Sequence, residues 1–297
     1  MLKNWTLCAL LVTSSFLPII SKAAVEFSDG SVIALWHFND DSVDASGNGY
    51  NGTDTSITYS TGKLNNASVF NGTSGYITFS NKITPIGTKS FSFWFKSNDQ
   101  TNIQAIYNNN ALDSGESGIE IYTNTSGYLI WALTYGAGGG ARRWSQTSNI
   151  DIIDNNWHFI TLTWDGTTGT NKVKMYIDGV LNQQATSSGT ESNTPTDNLR
   201  ISKLSFGPSL YYINGSLDEF AVFNTELTTT QISLLYNSST GDYICTEVGC
   251  GPSTGTSSSS IQLCTGETCD KILEHTYLWL VVFIFGSAGI LIYKILV

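Results

Sequence analysis

Between Val32 and Phe223 the chain alternates short apolar runs with turns of Gly, Asn, Ser and Thr, and no long stretch keeps a helical period. That pattern predicts an all-β fold, because successive side chains of a strand point to opposite faces. The runs place strands at Val32–Phe38, Ala67–Phe70, Tyr76–Phe79, Phe91–Lys96, Gln104–Tyr107, Gly118–Thr123, Tyr128–Thr134, Arg142–Ser145, Trp157–Trp164, Val173–Ile177, Val180–Ala185, Leu199–Ser202 and Ser216–Phe223. Asp178-Gly179 predicts a two-residue hairpin turn, since glycine accepts the positive φ of a primed turn. One helix is expected: Thr228 and Gln231 form a capping box ahead of Ile232 and Leu235 on one face. Asn237-Ser238-Ser239-Thr240-Gly241 then marks a domain boundary.

The two ends follow a different rule. Lys3 precedes an apolar run from Leu7 to Ile20, and Ser21-Lys22-Ala23 puts small residues where a signal peptidase reads, which predicts a secretory signal over residues 1–23. Pro18 and the shortness of the run argue against an N-terminal membrane helix, which needs about 20 apolar residues. Tyr277 to Val297 is apolar apart from Lys294, and Tyr277, Trp279 and Tyr293 fit the headgroup boundaries. A single C-terminal transmembrane helix over residues 276–297 is the expectation. The alternative is a tail exchanged for a lipid anchor, against which Lys294 argues. The run Ser253–Ser260 is too polar to pack, so residues 238–275 read as a stalk below a domain of residues 24–237. The expected location is the cell surface or an envelope membrane, with the domain outside.

Composition narrows the partners. The formal net charge is −10, and loss of Lys3 and Lys22 with the signal leaves 12 basic against 24 acidic residues. Such a surface repels nucleic acid and anionic headgroups and leaves sugar, protein or calcium partners. Of the five cysteines, Cys245, Cys250, Cys264 and Cys269 cluster in the stalk as two Cys-Thr-x-x-x-Cys patterns. In an oxidising compartment they predict two disulfides, with three pairings open; a four-cysteine zinc site is the competing reading, which the spacing opposes.

The order of motifs resembles the concanavalin A-like lectin/glucanase superfamily in its laminin G-like branch. The pieces are Trp36-His37-Phe38, the loop Asp44 to Gly52, Val69-Phe70-Asn71-Gly72 with Gly75-Tyr76-Ile77, and Phe91 to Lys96. Trp157 to Gly166, Met175 to Leu181 and Asn214 to Asn224 complete them. The resemblance covers about 190 residues. It implies a two-sheet antiparallel jelly-roll sandwich with its first and last strands side by side. It also implies a structural Ca²⁺, common though not universal in such domains, for which Asp44, Asn48 and Asp218 are the matching oxygen ligands. The competing reading is that these side chains bond their own turns.

Glucanases of this superfamily carry a Glu-x-Asp-x-x-Glu motif, and the nearest stretch, Asp113 to Glu120, lacks that spacing. The three histidines, His37, His158 and His275, stand without a Ser-His-Asp or Gly-x-Ser-x-Gly context. A binding role is therefore expected over an enzymatic one. Alternation pairs Glu120 with Tyr122, Trp131 with Tyr135 and Arg142 with Trp144, each pair on one side of its strand. Tyr122, Trp131, Arg142 and Trp144 are the candidate ligand-binding residues, and the doublet Arg142-Arg143 would suit a carboxylate or sulfate. Against this, large aromatics commonly fill sandwich cores. The partner expected is a glycan or a cell-surface protein. The alternatives are a self-associating envelope component, cellular or viral, and a glycan-active enzyme.

Overall fold

The computed structural model of the chain describes residues 24–27, 29–109, 118–134, 142–188, 198–203, 211–237 and 240–246. All of them belong to the first of two compact units, Met1–Ser253 and Thr254–Val297. In chain order the first strands are β1 (Ala24–Glu26), β2 (Val32–Trp36), β3 (Gly52–Thr55), β4 (Thr58–Thr61), β5 (Asn66–Asn71), β6 (Tyr76–Phe79), β7 (Lys89–Ser97), β8 (Gln104–Asn108) and β9 (Gly118–Thr123). They are followed by β10 (Tyr128–Thr134), β11 (Arg142–Asp151), β12 (His158–Trp164), β13 (Gly169–Ile177), β14 (Val180–Ser187), β15 (Arg200–Ile201) and β16 (Asn214–Phe223). Helix α1 (Thr229–Tyr236) and β17 (Tyr243–Cys245) complete the set.

Two antiparallel sheets stack face to face. One runs β11-β10-β9-β8-β15-β6-β3; the other runs β14-β13-β12-β7-β16-β5-β4, with β2 added against β16 as its eighth strand. The first and last long strands thus lie side by side, Trp36 opposite Phe220 and Leu35 opposite Ala221. Between the sheets Phe93 stacks on Phe220 at 4.8 Å, and Phe91 meets Tyr107 and Trp131 edge-on. Every large ring of this layer is removed from water, which is the main drive toward the sandwich.

The predicted hairpin forms as expected, with Asp178 and Gly179 both at positive φ (53° and 76°). The capping box is present too: the Thr228 hydroxyl accepts from the Gln231 N–H and the Gln231 side chain returns to the Thr228 N–H. Beyond Asn237, the expected start of the stalk, the chain goes on into β17, which pairs in parallel with β1. Among the described residues no helix is long and apolar enough to cross a membrane. The expected span at residues 276–297, and Cys250, Cys264 and Cys269, lie outside the described residues; Cys245 ends β17.

Candidate functional site

Each sheet has an outer face, turned away from the shared core, and the two are covered differently. Behind the eight-stranded sheet lies a second apolar cluster. Trp94, Phe159, Leu35, Ala221 and Phe223 are packed under Val25 of β1, the following Phe27, Ile244 of β17 and Ile232 and Leu235 of α1. This face is built for stability.

The outer face of the seven-stranded sheet carries another chemistry. Its residues follow from alternation: Ile77 and Phe79 point into the core, so Tyr76 and Thr78 point out; Ile119 and Ile121 point in, so Glu120 and Tyr122 point out. In β8 a bulge between Ala105 and Tyr107 sends both Ile106 and Tyr107 into the core and leaves Ala105 and Asn108 outside. The register then lines up Thr78, Arg200, Asn108, Glu120 and Ala132 in one row across five strands. Two residues along the strands, Tyr76, Ala105, Tyr122 and Ile130 make a parallel row. With strands about 4.8 Å apart, Arg200 and Glu120 are roughly 10 Å apart with Asn108 between them.

We call this band of small or polar groups flanked by tyrosines the trough. Ala105, Asn108, Glu120 and Ala132 in the floor are buried although none faces the core. Tyr122 forms one side and is partly exposed. On the other side Lys203 sits 4.2 Å above the Tyr76 ring, which lies 6.3 Å from the Tyr212 ring. Both amide atoms of Asn108 are buried without a hydrogen-bond partner. Its neighbour Asn109 is the opposite case, donating to the Lys82 carbonyl and the Thr84 hydroxyl and accepting from the Ile119 N–H.

Of the residues expected to bind ligand, Tyr122 is on this face and shares it with Glu120. Trp131 is not: it is fully buried in the core, its indole N–H donating to Gln146 Oε1 at 2.8 Å. Alternation along β10 puts it on the side opposite Ile130, and a ring of that size is what a sandwich interior takes up. Arg142 and Trp144 occupy β11 opposite Thr134 and Leu133; their side chains lie outside the described residues. Asn108 and Arg200 were not read from the sequence. The triplet Leu199-Arg200-Ile201 did carry a signal, since a cation between two buried apolar residues of a strand must face outward.

The residues expected to hold calcium fall into two places. Asp44 accepts four hydrogen bonds, from the N–H groups of Leu35, Ser46 and Tyr50 and the Ser46 hydroxyl, while Asn48 Nδ2 donates to the Ile33 carbonyl at 3.0 Å. Together they cover the edge of β2 that has no partner strand, the task expected of a turn protecting a sheet edge. Asp218 is held elsewhere, its Oδ2 accepting from the N–H groups of Lys63 and Leu64. Burial pushes its carboxyl up to about 7, helped by the charge of Glu219 and opposed by those two N–H groups. No hydrogen-bond partner is common to Asp44, Asn48 and Asp218, and among the described residues no three His, Cys, Asp or Glu side chains converge to hold a metal.

The two described histidines, His37 and His158, are each held by carboxylates. His158 lies between Asp178 (2.8 Å) and Asp154 (3.1 Å). Burial alone would lower it, but the Asp178 hydrogen bond and charge outweigh that and hold it above the ordinary histidine value. His37 is likewise raised by Glu219, 2.8 Å away, against its own burial.

Residues 71–233 match the family model described as the concanavalin A-like lectin/glucanases superfamily. No curated protein matches the sequence. Among solved structures, domain 4 of AbnA, an extracellular arabinanase from Geobacillus stearothermophilus in complex with arabinotriose, is similar at 19% identity and TM-score 0.53, over 74% of this chain and 100% of that one. The binding domain of botulinum neurotoxin DC in complex with rat synaptotagmin II is similar at 18% identity and TM-score 0.54, over 71% of this chain. The binding domain of Paraclostridial Mosquitocidal Protein 1 follows at 16% and 0.55. The chain spans about half of these two toxin domains. At such identities the likeness is one of fold.

Proposed function

Because the chain belongs to the concanavalin A-like lectin/glucanases superfamily, we propose that it is a surface recognition protein whose jelly-roll domain binds a carbohydrate or a surface receptor in the trough of the seven-stranded sheet. The observation that carries this reading is the contrast between the outer faces. A sheet face that needs only to be stable is covered with apolar residues, as behind the eight-stranded sheet. The other face instead keeps tyrosines beside amide and charged groups, the combination that holds a sugar by ring stacking and directed hydrogen bonds. Similar folds are seen with arabinotriose and with synaptotagmin, so both ligand classes fit.

Binding is favoured over catalysis. Among the described residues the trough presents one carboxylate, Glu120, where glycoside hydrolysis uses two flanking the bond. The apolar segment Tyr277–Val297 anchors the protein in this reading, with the signal at residues 1–23 exporting the domain and the cysteines clipping the stalk.

The test is a glycan and receptor-protein array probed with the full-length chain in detergent, alongside Tyr122→Ala. Saturable binding that drops at least about tenfold in the variant, as expected from loss of a stacking ring, supports the reading. Absence of any saturable ligand, or binding indifferent to Tyr122, contradicts it.

A further inference from the structure

Resting on that reading, we infer that Asn108 is the specificity-determining residue of the trough and that the ligand it selects is a neutral sugar with adjacent free hydroxyls, laid across the strands rather than along them.

The argument starts from the two consecutive asparagines. Both are fully buried, yet Asn109 has every amide bond made and Asn108 has none. A buried amide without partners destabilises the state that contains it, so such groups in native proteins call for an explanation. Here a bulge shapes what stands beside the amide. Without the bulge after Ala105, two-residue alternation from Tyr107, which faces the core, would still put Asn108 outside but would turn Ile106 out beside it. The bulge keeps Ile106 in the core and leaves Ala105, the smallest available floor, beside the amide. Asn108 is fully buried, and a ligand that reached it would make the hydrogen bonds that the fold leaves unmade.

The chemistry of the partner follows from the amide itself. Carboxamide offers one acceptor and two donors on adjacent atoms. A pair of vicinal hydroxyls answers both at once, one donating to Oδ1 and the other accepting from Nδ2. A carboxylate or sulfate only accepts, so it would leave Oδ1 facing an anion. Direction comes from the register, since Arg200, Asn108 and Glu120 line up across β15, β8 and β9. The tyrosines at the two sides, Tyr76 on β6 and Tyr122 on β9, stand about 14 Å apart, three strand spacings. That span suits two or three sugar rings. It differs from the anionic ligand that the Arg142-Arg143 doublet would suit.

The test measures binding of full-length chain in detergent, wild type, Asn108→Leu, Asn108→Asp and Tyr122→Ala, to arabino-, xylo-, manno- and gluco-oligosaccharides and to their uronic-acid or sulfated counterparts. The expected result is binding of a neutral member, weakened roughly 10- to 100-fold by Asn108→Leu as two hydrogen bonds are lost. Asn108→Leu should also melt no lower than wild type, which separates a ligand role from a structural one. Unchanged affinity in both Asn108 variants while Tyr122→Ala abolishes binding would overturn the role of Asn108 and leave the trough standing. Preference for the anionic sugars would overturn the ligand class. Binding that none of the three variants moves would remove both the inference and the reading it rests on.

Discussion

The two sheets of this domain are built from similar strands, but their outer faces solve opposite problems. Behind the eight-stranded sheet, Trp94 touches Phe159 at 5.1 Å and Tyr236 at 6.0 Å and carries the Lys63 ammonium 4.3 Å above its ring. That face is closed by β1, β17 and α1. Behind the seven-stranded sheet the row beside the half-buried Arg200 holds Asn108 and Glu120 at positions just as buried as a core, and Asn108 remains without a partner. The first face turns burial into stability. In the proposed reading the second gives up stability for groups that a ligand would satisfy, which the packed first face and sandwich core offset.

If this contrast is right, truncation on the two faces must have opposite signs. Trp94→Ala should destabilise the domain by about 3–5 kcal/mol through the cavity it leaves, read by chemical denaturation, with no ligand-specific defect in whatever fraction stays folded. A smaller effect would mean that the apolar cover is loosely held.

The margin of that apolar cover supplies a second test. Asp218 stands opposite Trp94 in the sheet, and burial raises its carboxyl to about 7 from an ordinary value of 3.8. A raised folded value means that the neutral acid is the form the fold prefers. Its contribution is therefore fully present below about pH 4 and is lost as pH rises to about 7. Asp218→Asn should remove that loss, being more stable than wild type at pH 8 by on the order of 4 kcal/mol and converging with it toward pH 4. The sign would reverse if Asp218 held calcium: the variant would then be the less stable one, and calcium would raise the wild-type melting temperature alone.

The smallest effect is expected across the sandwich. Asn108→Leu, close to isosteric, should raise stability by about 1 kcal/mol, because it removes a buried amide with no partner. A loss of 2 kcal/mol or more would show that Asn108 is structural after all.

The sequence was a good guide wherever one physical rule acts alone. Strict alternation located β6, β9, β10 and β16 to within a residue or two, the positive-φ preference of glycine located the turn at Gly179, and the reciprocal Thr228–Gln231 bonds located α1. Strands β3 and β4 were missed because Gly52–Thr61 is nearly all polar, and their pairing depends on β6 and β5 rather than on their own apolar faces. Trp131 was misassigned because size and aromaticity describe a core residue and a sugar platform equally; only its register against Gln146 decides. Asn108 was out of reach for a subtler reason. The bulge in β8 rearranges which residues share its outer face, and no local sequence signal marks a bulge formed by Ala-Ile-Tyr. Arg200, by contrast, could have been read from its apolar neighbours.

The most direct test of the central claim is hydrogen–deuterium exchange of the full-length chain with and without a glycan or receptor identified on the array. The account predicts added protection in 76–78, 104–108, 118–123 and 200–203, the segments that build the trough, and none in 25–27, 94 or 232–244. Protection confined to the latter, behind the eight-stranded sheet, would contradict it.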